Sequence, residues 1–328
     1  MRMDPLKIKT RVVGVDISLG ETTFAIVDLR GNFIAEDRFP TTAYPDINGF
    51  VTKLSDSILA LVESNGGYDT IRSVGISAPS ANYRSGSIMN SPNLPWKGTI
   101  PLAAMLRDRM ALAVAVANNA HATCLGEHMF GSAHGMDTFI LLTLGHGMGS
   151  CMFADGRPYR GSEGYAGEIG HTCYEPGGRL CGCGKRGCLE RYTAEGGIIQ
   201  TAQELMAASS EPSLMRQADR LTPKVIAEYC DRGDSLAIET YRLTGKALGI
   251  GLANYATLTD PEAIILTGGI ANAGRWLLEP AQESFDAHVF HNIRGKVRLM
   301  VSPLNDRNRD VLGASALAWK VKEYSLFK

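Results

Sequence analysis

Two short segments near the middle of the chain decide the fold: "EIGH" at Glu168–His171, and "CGCGKRGC" at Cys181–Cys188. The second segment has the spacing Cys-x-Cys-x4-Cys. Together with an upstream histidine it offers three thiolates and one imidazole, the donor set of a closed tetrahedral zinc site. The glycines between the cysteines let the backbone wrap closely around an ion. We therefore predict a structural zinc site, with no open position for substrate, formed by His171, Cys181, Cys183 and Cys188.

Two other interpretations of this cluster exist. Cys173 is a rival ligand, although it lies too close to His171 along the chain to suit the loop well. The cysteines could instead be free and buried, but their glycine, lysine and arginine neighbours disfavour a packed apolar core. A disulfide framework is also disfavoured, because the chain has an odd number of cysteines, 7, and no sign of secretion.

The overall composition excludes several classes of protein. The chain has 328 residues with 33 Lys+Arg and 34 Asp+Glu, a formal net charge of −1, which argues against a dedicated nucleic-acid surface. The longest uncharged stretch, Thr138–Ala154, is shorter than the roughly 20 residues of a membrane span and is interrupted by glycines. The opening residues "MRMDPLKIKT" lack the apolar core of a signal peptide. We expect a cytoplasmic protein with no membrane segment.

Strand and helix patterns alternate along the chain, and one arrangement occurs twice. "RVVGVDI" (Arg11–Ile17), "TFAIVDL" (23–29) and "FIAEDRF" (33–39) predict an antiparallel meander. A strand, a glycine turn and a second strand recur at 138–154, so we predict an α/β protein with two similar halves, rather than two unrelated glycine hairpins. Further predicted elements are helices at 47–62, from Pro101, at 119–130, at 235–257 and at 314–324, and strands at 71–77, 111–117 and 263–267.

Three turns have a composition typical of phosphate or nucleotide contacts. Asp16 ends a strand ahead of "SLGET" (18–22), where a carboxylate can hold Mg²⁺ beside a phosphate chain that the turn amides face. "LGHGMGS" (144–150) is a second such turn, and "TGG" (267–269) lets a backbone approach a flat ligand such as adenine. The alternatives are an aspartate that only forms a turn and an ordinary strand-to-helix connection.

Four polar residues are candidates for binding a polyhydroxylated ligand. Asn118 and Asn119 stand where a strand meets a helix, and Glu168 and Glu190 flank the predicted zinc loop. Carboxylates and amides that converge on a cleft can each engage one or two hydroxyl groups. Helix capping by Asn118 or Asn119 is the alternative role for the two amides.

Taken together these segments, above all Leu142 through "GYAGEIGH" to "CGCGKRGCLE", resemble the ROK family of bacterial sugar kinases and sugar-responsive repressors over essentially the whole chain. The resemblance implies an actin-like, hexokinase-type fold of two α/β domains with ATP and sugar between them. The implied nucleotide contacts are Asp16, Gly20 and Thr22 in the first turn, Gly145, Gly147 and Gly149 in the second, and Gly268 and Gly269 on the adenosine side. The implied sugar contacts are Asn118, Asn119, Glu168, His171 and Glu190. Because His171 is also a predicted zinc ligand, the metal would brace the wall that orients the sugar.

The sequence departs from the family pattern at the position of the catalytic base. The family has an aspartate after the asparagine, in a pattern like "NDANAAALGE", whereas this chain reads "NNAHATCLGE" at 118–127, with Asn119 in that place. A carboxamide accepts a hydrogen bond but cannot take a proton, and loss of a general base slows a reaction by roughly 10²–10⁴-fold. Other departures are Ser18 and Leu19 in place of glycines, Glu21, His146 in place of threonine, and His121 in place of asparagine.

The resemblance implies phosphorylation of a hexose, of the glucose or N-acetylhexosamine type, at its 6-hydroxyl by Mg-ATP, impaired by Asn119. The alternative is a catalytically silent sugar-binding sensor or regulatory protein. We expect one domain at 1–117 with 308–328 and a second at 118–307. Only about ten residues precede the first predicted strand, too few for the winged helix of the repressor branch, so we expect no autonomous DNA binding. A homo-oligomer is expected from the family alone.

Overall fold

The computed structural model describes residues 9–304 and 306–321. The strands are β1 (Arg11–Ile17), β2 (Glu21–Asp28), β3 (Phe33–Pro40), β4 (Ile71–Ser77), β5 (Ala81–Asn82), β6 (Ser87–Met89), β7 (Thr99–Ile100), β8 (Ala113–Ala117), β9 (Phe139–Leu144), β10 (Met148–Ala154), β11 (Arg157–Pro158), β12 (Ala263–Thr267) and β13 (Arg298–Val301). The helices are α1 (Ile47–Glu63), α2 (Leu102–Met110), α3 (Asn119–Phe130), α4 (Glu190–Thr193), α5 (Glu195–Ala208), α6 (Pro223–Asp231), α7 (Ser235–Thr259), α8 (Arg275–His288) and α9 (Asp306–Trp319). The chain divides into two compact units, one of residues up to Gly135 together with those from Pro303 onward, the other Met136–Ser302.

The first unit is built on a five-stranded sheet in the order β3-β2-β1-β4-β8. The predicted antiparallel meander of β1, β2 and β3 is confirmed, and β4 and β8 continue the sheet in parallel with β1. Parallel strands that are covered on both faces are rich in β-branched apolar residues, as β1 is at Val12, Val13, Val15 and Ile17. In the strand register Asp16 stands beside Ser77, and Ser77 beside Ala117, so the last residues of three parallel strands meet at one edge of the sheet.

Helix α9 packs directly against the backbone of this sheet. A Cβ atom at Gly14 of β1 would overlap the carbonyl oxygen of Val311, and one at Gly75 of β4 would overlap that of Ala314. The helix meets α3 in the same way, because a Cβ at Gly126 would lie 2.9 Å from the Cα of Gly313. Glycine is thus required at these positions for α9 to approach, and the helix is part of the core of the first unit.

The predicted position of this closing helix, 314–324, was wrong at its start. The helix begins at Asp306 and its last residue is Trp319, while residue 324 lies outside the described residues. Its first turns carry the charged run "DRNRD", which breaks the apolar periodicity from which a helix is predicted. Within the helix, small residues rather than large apolar ones make the close contacts, and this also weakens the periodic signal.

The second unit repeats the arrangement of the first sheet. Its five strands are ordered β11-β10-β9-β12-β13, with β9, β10 and β11 antiparallel and β12 and β13 parallel to β9. The predicted duplication of two similar α/β halves is therefore confirmed. Helix α7 covers the sheet, and a Cβ at Gly249 of this helix would overlap the backbone of Ala281 in α8. The apolar side chains that fill this unit include Leu142, Leu248 and Phe285.

The division between the units differs from the expected boundary at 117/118. Helix α3 belongs to the first unit because it packs against α9 through Gly126 and Gly313. Asn118 and Asn119 therefore lie in the first unit. Within the described ranges, no helix is both long enough and apolar enough to cross a lipid bilayer.

Candidate functional site

The structure brings the four predicted zinc ligands of the second unit together. One donor atom from each of His171, Cys181, Cys183 and Cys188 lies within 4.8 Å of all the others. The Sγ atom of Cys181 is 3.7 Å from Nδ1 of His171, and the Sγ atoms of Cys183 and Cys188 are 3.6 Å apart. Tetrahedral bonds of about 2.3 Å to zinc would separate the sulfurs by about 3.8 Å, so this donor set fits the ion. The rival ligand Cys173 is not part of the group.

The local backbone explains how four donors from two segments meet. His171 ends a short 3₁₀ helix, and the cysteine loop folds back so that Cys173 and Cys188 form an isolated β-bridge. Gly187 has a φ of +79°, and a Cβ there would overlap the backbone of Glu175, so glycine is required for this approach. The ammonium group of Lys185 donates to the carbonyl oxygen of His171 at 2.8 Å and holds the loop against the 3₁₀ helix.

Electrostatics favour a thiolate at one of these sulfurs. The backbone amide of Lys185, ahead of the sulfur neighbours and the lysine charge, lowers the pKa of the exposed Cys183 thiol. The thiolate is the form of cysteine that binds metal.

Glu190 connects the metal cluster to the second glycine turn, Gly145–Gly149. Its Oε2 accepts a hydrogen bond from the backbone N–H of Met148 at 2.9 Å. Its Oε1 lies 3.8 Å from the Sγ of Cys181. Glu190 is the first residue of α4 and is half-buried, so its carboxylate is directed by the helix that leaves the zinc loop.

Glu168 and its neighbours are fastened to β10. The hydroxyl of Ser150 donates to the carbonyl oxygen of Gly167 and accepts from the backbone N–H of Ile169 at 3.1 Å. This pair of hydrogen bonds fixes the backbone on both sides of Glu168, whose side chain is exposed. His171 follows three residues later in the donor group, and of the predicted sugar contacts of the second unit Glu190 touches both the Cys181 sulfur and the second glycine turn.

The first turn, at 18–22, differs from the expectation in two respects. The hydroxyl of Ser18 accepts a hydrogen bond from the backbone N–H of Glu21 at 3.2 Å, so this turn amide has an internal partner. Thr22 is fully buried, and its hydroxyl lies 2.8 Å from that of Thr41, so it does not face a ligand. Gly20 has open space where a Cβ would stand, and the neighbouring Leu19 side chain is 52% exposed. The carboxylate of Glu21 pairs with Arg38 at 3.5 Å.

Asp16 and Asn119 are in direct contact in the first unit. The amide nitrogen of Asn119 donates to Oδ1 of Asp16 at 3.2 Å and to the hydroxyl of Ser77 at 2.9 Å. Burial, followed by the charge of Asp310, raises the pKa of Asp16 to about 7, against the opposing hydrogen bonds of Ser77 and Asn119 and the charge of Arg309. Because the amide nitrogen faces Asp16, the carboxamide oxygen of Asn119 points the other way.

Asn118 caps helix α3. Its side-chain oxygen accepts a hydrogen bond from the backbone N–H of Ala120 at 2.8 Å, so the capping role kept as an alternative is confirmed. The cap occupies one lone pair of the side-chain oxygen. The amide nitrogen and the second lone pair of this oxygen are left for a ligand.

The third turn lies where β12 ends. Gly268 has a φ of +92°, and a Cβ there would overlap the backbone of Leu144 at the end of β9, whereas Gly269 has open space at the corresponding place. Thr143 and Thr267 are register partners on these two strands, and the hydroxyl of each is buried without a hydrogen-bond partner among the described residues. Buried polar atoms normally have a partner, so these hydroxyls indicate a bound water or ligand at the ends of β9 and β12.

Several residues of these sites were not identified from the sequence. Ser77 and Asp310 reach Asp16 only through the fold, and Thr143 and Thr267 occupy ordinary strand positions. The position of Ser77 and Thr267 at the last residue of a predicted parallel strand is the signal that could have identified them.

The comparisons with known proteins show which family this chain resembles. The sequence profile of the ROK family matches residues 12–321. The chain is 32% identical over 280 residues to a glucokinase of Streptomyces coelicolor, covering 83% of this chain and 86% of that protein. It is also 27% identical over 314 residues to a xylose repressor of Caldicellulosiruptor bescii, covering 93% of this chain and 77% of the repressor.

A solved structure extends the likeness to the fold. The crystal structure of a ROK family glucokinase from Streptomyces griseus, in complex with glucose and AMPPNP, is 30% identical with a TM-score of 0.75, and the match covers 95% of this chain and 100% of that chain. The predicted actin-like α/β fold is therefore confirmed.

Proposed function

This chain belongs to the ROK family, and on that premise we propose that it binds a hexose and Mg-ATP and phosphorylates the 6-hydroxyl slowly, with Asn119 in the position of the base. Its glucokinase homologues and the glucose and AMPPNP complex of the Streptomyces griseus glucokinase support this class of substrate and nucleotide. The substrate class is a hexose of the glucose or N-acetylhexosamine type. Glu168 and Glu190 would accept hydrogen bonds from its hydroxyl groups, and the free ring N–H of a zinc-bound His171 would donate one to a sugar oxygen.

The orientation of Asn119 is the observation that carries the proposal. Its amide nitrogen is engaged by Asp16 and Ser77, so its oxygen is available to accept a hydrogen bond from a sugar hydroxyl. That contact positions the hydroxyl but cannot remove its proton. Phosphoryl transfer depends strongly on positioning and charge neutralisation, so a slow reaction survives the loss of the base.

The nucleotide would be held mainly by the second and third turns. Gly145 and Gly269 leave open space beside the backbone, and the unpartnered hydroxyls of Thr143 and Thr267 mark the ends of the strands that lead into these turns. Mg-ATP, when bound, supplies the phosphoryl group and the cation that neutralises its charge. A cation bound beside Asp16 would favour the ionised form of its carboxyl group.

Zinc would act as a structural ion on His171, Cys181, Cys183 and Cys188. The donor distances support this assignment, and four protein ligands leave no position for substrate. The ion would hold the cysteine loop against the 3₁₀ helix. It would thereby orient Glu190, whose carboxylate lies beside Cys181.

A second candidate function is a catalytically silent sugar sensor. It is favoured by the first turn, where Ser18 occupies the amide of Glu21 and Thr22 is buried, because both features remove phosphate-binding groups. The family also contains regulators, as the xylose repressor of Caldicellulosiruptor bescii shows.

A coupled assay with Mg-ATP and a panel of hexoses tests the proposal. We expect slow turnover in the wild type and an increase of roughly 10²–10⁴-fold in Asn119→Asp, because a carboxylate can accept the hydroxyl proton. Asn118→Asp is the matched control, since aspartate preserves the helix cap but stands one residue away, and it should give no increase.

The other outcomes distinguish the two functions. Wild-type turnover of about 1–100 per second, as in ordinary kinases, would contradict an impaired base. If the wild type binds hexose but shows no turnover, and Asn119→Asp gains none, the silent sensor is the correct function.

A further inference from the structure

The second glycine turn is attached to the segment that follows the zinc loop. The backbone N–H of Met148 donates to Glu190, and the backbone N–H of Glu195 donates to the carbonyl oxygen of Gly145 at 3.0 Å. The imidazole of His146 also pairs with the carboxylate of Glu195. Both ends of the turn are thus held by the starts of two successive helices, α4 and α5.

Among these contacts, the one with Glu190 uses a backbone N–H, that of Met148, which the turn would otherwise offer to a nucleotide. A glycine turn binds phosphate with its backbone N–H groups, and Met148 already gives its N–H to a carboxylate. A Cβ at Gly147 would lie 3.0 Å from Oε2 of Glu190, so the carboxylate is in contact range of the turn itself. A phosphate placed there would lie close to the negative charge of Glu190. It would also lack the hydrogen bond from the N–H of Met148.

Hexose hydroxyl groups compete for the same carboxylate. Glu190 is half-buried and acceptor-only when ionised, and its Oε2 already accepts from Met148, so a sugar hydroxyl that binds this oxygen must share it with the Met148 contact or displace that contact. Its other oxygen faces Cys181 at 3.8 Å, which restricts the directions from which a donor can approach.

We propose that Glu190 is a positioning residue that couples the two ligands: hexose hydroxyls draw its carboxylate away from the N–H of Met148, and the released turn then binds nucleotide phosphate more tightly. The inference rests on the proposed function, because it takes Glu190 as a sugar contact and the turn as a phosphate contact. Coupling between two binding sites is reciprocal, so nucleotide must tighten hexose binding by the same factor.

Isothermal titration calorimetry tests the coupling in the zinc-loaded full chain. The probes are the Mg complex of AMPPNP and, for the sugar, whichever of glucose, mannose and N-acetylglucosamine binds most tightly. We expect saturating hexose to tighten AMPPNP binding to the wild type by about 5–150-fold. In Glu190→Ala this ratio should fall to about one, with AMPPNP binding in the absence of sugar tighter than in the wild type.

Glu195→Gln is the matched control. It changes the other carboxylate that touches the turn, at His146, but leaves the contact between Glu190 and Met148. Its affinity for AMPPNP can change, but its coupling ratio should equal that of the wild type. If Glu190→Ala does not fold, Glu190→Gln replaces it, because glutamine keeps the size and one acceptor oxygen without the charge. Its ratio should lie between one and the wild-type value.

Amide hydrogen exchange at Met148 gives a readout that a purely structural role of Glu190 would not change. Hexose alone, without nucleotide, should accelerate exchange at this amide in the wild type, whereas in Glu190→Ala the exchange should be fast with or without hexose. Zinc content equal to that of the wild type shows that the metal loop of the variant is intact.

Failure of the coupling and failure of the proposed function give different results. If the wild type binds both ligands with a ratio near one, or if Glu190→Ala keeps the wild-type ratio, or if Glu190→Gln must be used and keeps it, only the coupling is wrong. If the wild type binds neither a hexose nor AMPPNP, the proposed function is wrong and the coupling falls with it.

Discussion

At the scale of single residues, Asp16 is a carboxyl group whose surroundings destabilise its ionised form, although it has defined hydrogen-bond partners. It stands at the end of β1, beside Ser77 in the strand register and within a hydrogen bond of Asn119. Loss of hydration and the charge of Asp310 both act against its ionised form, which raises its pKa to about 7. At neutral pH the carboxyl group is therefore close to its titration midpoint until a cation approaches.

This location predicts a pH-dependent stability. A carboxyl group with a pKa of about 7 in the folded state and an ordinary pKa of 3.8 is more protonated when folded, so its contribution to stability is fully present below pH 4 and lost as pH rises through 7. Asparagine does not ionise, so the Asp16→Asn variant does not lose this stability as the pH rises. We expect the variant to exceed the wild type in unfolding free energy by on the order of 2–4 kcal/mol at pH 8 and to match it at pH 4.

Urea denaturation in metal-free buffer at the two pH values measures the difference, with Asp310→Asn as a comparison. Removing the charge of Asp310 should give a smaller gain at pH 8, because burial is the larger cause of the raised pKa. An Asp16→Asn variant that loses stability equally at both pH values would show that Asp16 is not strained when ionised.

The sequence predicted the local roles of these residues better than their long-range contacts. Helix capping by Asn118 follows from a local pattern and was anticipated as an alternative. The contact between Asn119 and Asp16 joins residues 103 positions apart, and no local pattern indicates it. The resemblance implied Thr22 as a nucleotide contact, whereas its hydroxyl is buried 2.8 Å from that of Thr41 in the 3₁₀ turn that follows β3.

At the scale of elements, the zinc loop depends on glycine at one position and not at another. At Gly187 a Cβ would overlap the backbone of Glu175 and the φ is +79°, whereas a Cβ at Gly182 meets nothing within 4 Å. Gly187→Ala should therefore displace Cys188 and weaken zinc binding by at least tenfold, about 1.4 kcal/mol. Gly182→Ala is the matched control and should bind zinc like the wild type.

Competition with a chromogenic chelator measures both affinities. Equal zinc affinity in the two variants would mean that the loop does not need the left-handed conformation at Gly187 to assemble the donors.

The elements themselves were largely predictable, and the exceptions share a physical cause. Long amphipathic segments such as α1 and the β-branched strands β1 and β4 carry strong periodic signals. The start of α9 does not, because this helix packs by small residues and begins with a charged run. The attachment of the second glycine turn to α4 and α5 was also not predicted, because it uses a backbone N–H and a carboxylate from segments that periodicity does not relate.

At the scale of the whole molecule, the two units have separate apolar cores and should respond separately to perturbation. The apolar core with Leu142 and Phe285 lies in the unit that holds the four predicted zinc ligands. The apolar core with Phe24 and Phe50 lies in the other unit. Removing zinc with a chelator should lower the melting temperature of the transition that belongs to Met136–Ser302. Gly75→Ala should lower the other transition, because a Cβ there would displace α9.

Calorimetry resolves the two transitions, and tryptophan fluorescence assigns them, since Trp96 and Trp276 lie in different units. A single transition that shifts to the same extent with both perturbations would show that the units unfold as one cooperative block.

The position of α9 also has a consequence for how the protein is made. The sheet that begins at Arg11 receives one of its covering helices only from residues 306–319, so a nascent chain carries this sheet with its Gly14 and Gly75 backbone uncovered until those residues have been synthesised. The segment Met136–Ser302 contains all of its own strands and can fold during that interval. Strands β1 and β4 are thus synthesised before this segment, although α9 can cover them only after it.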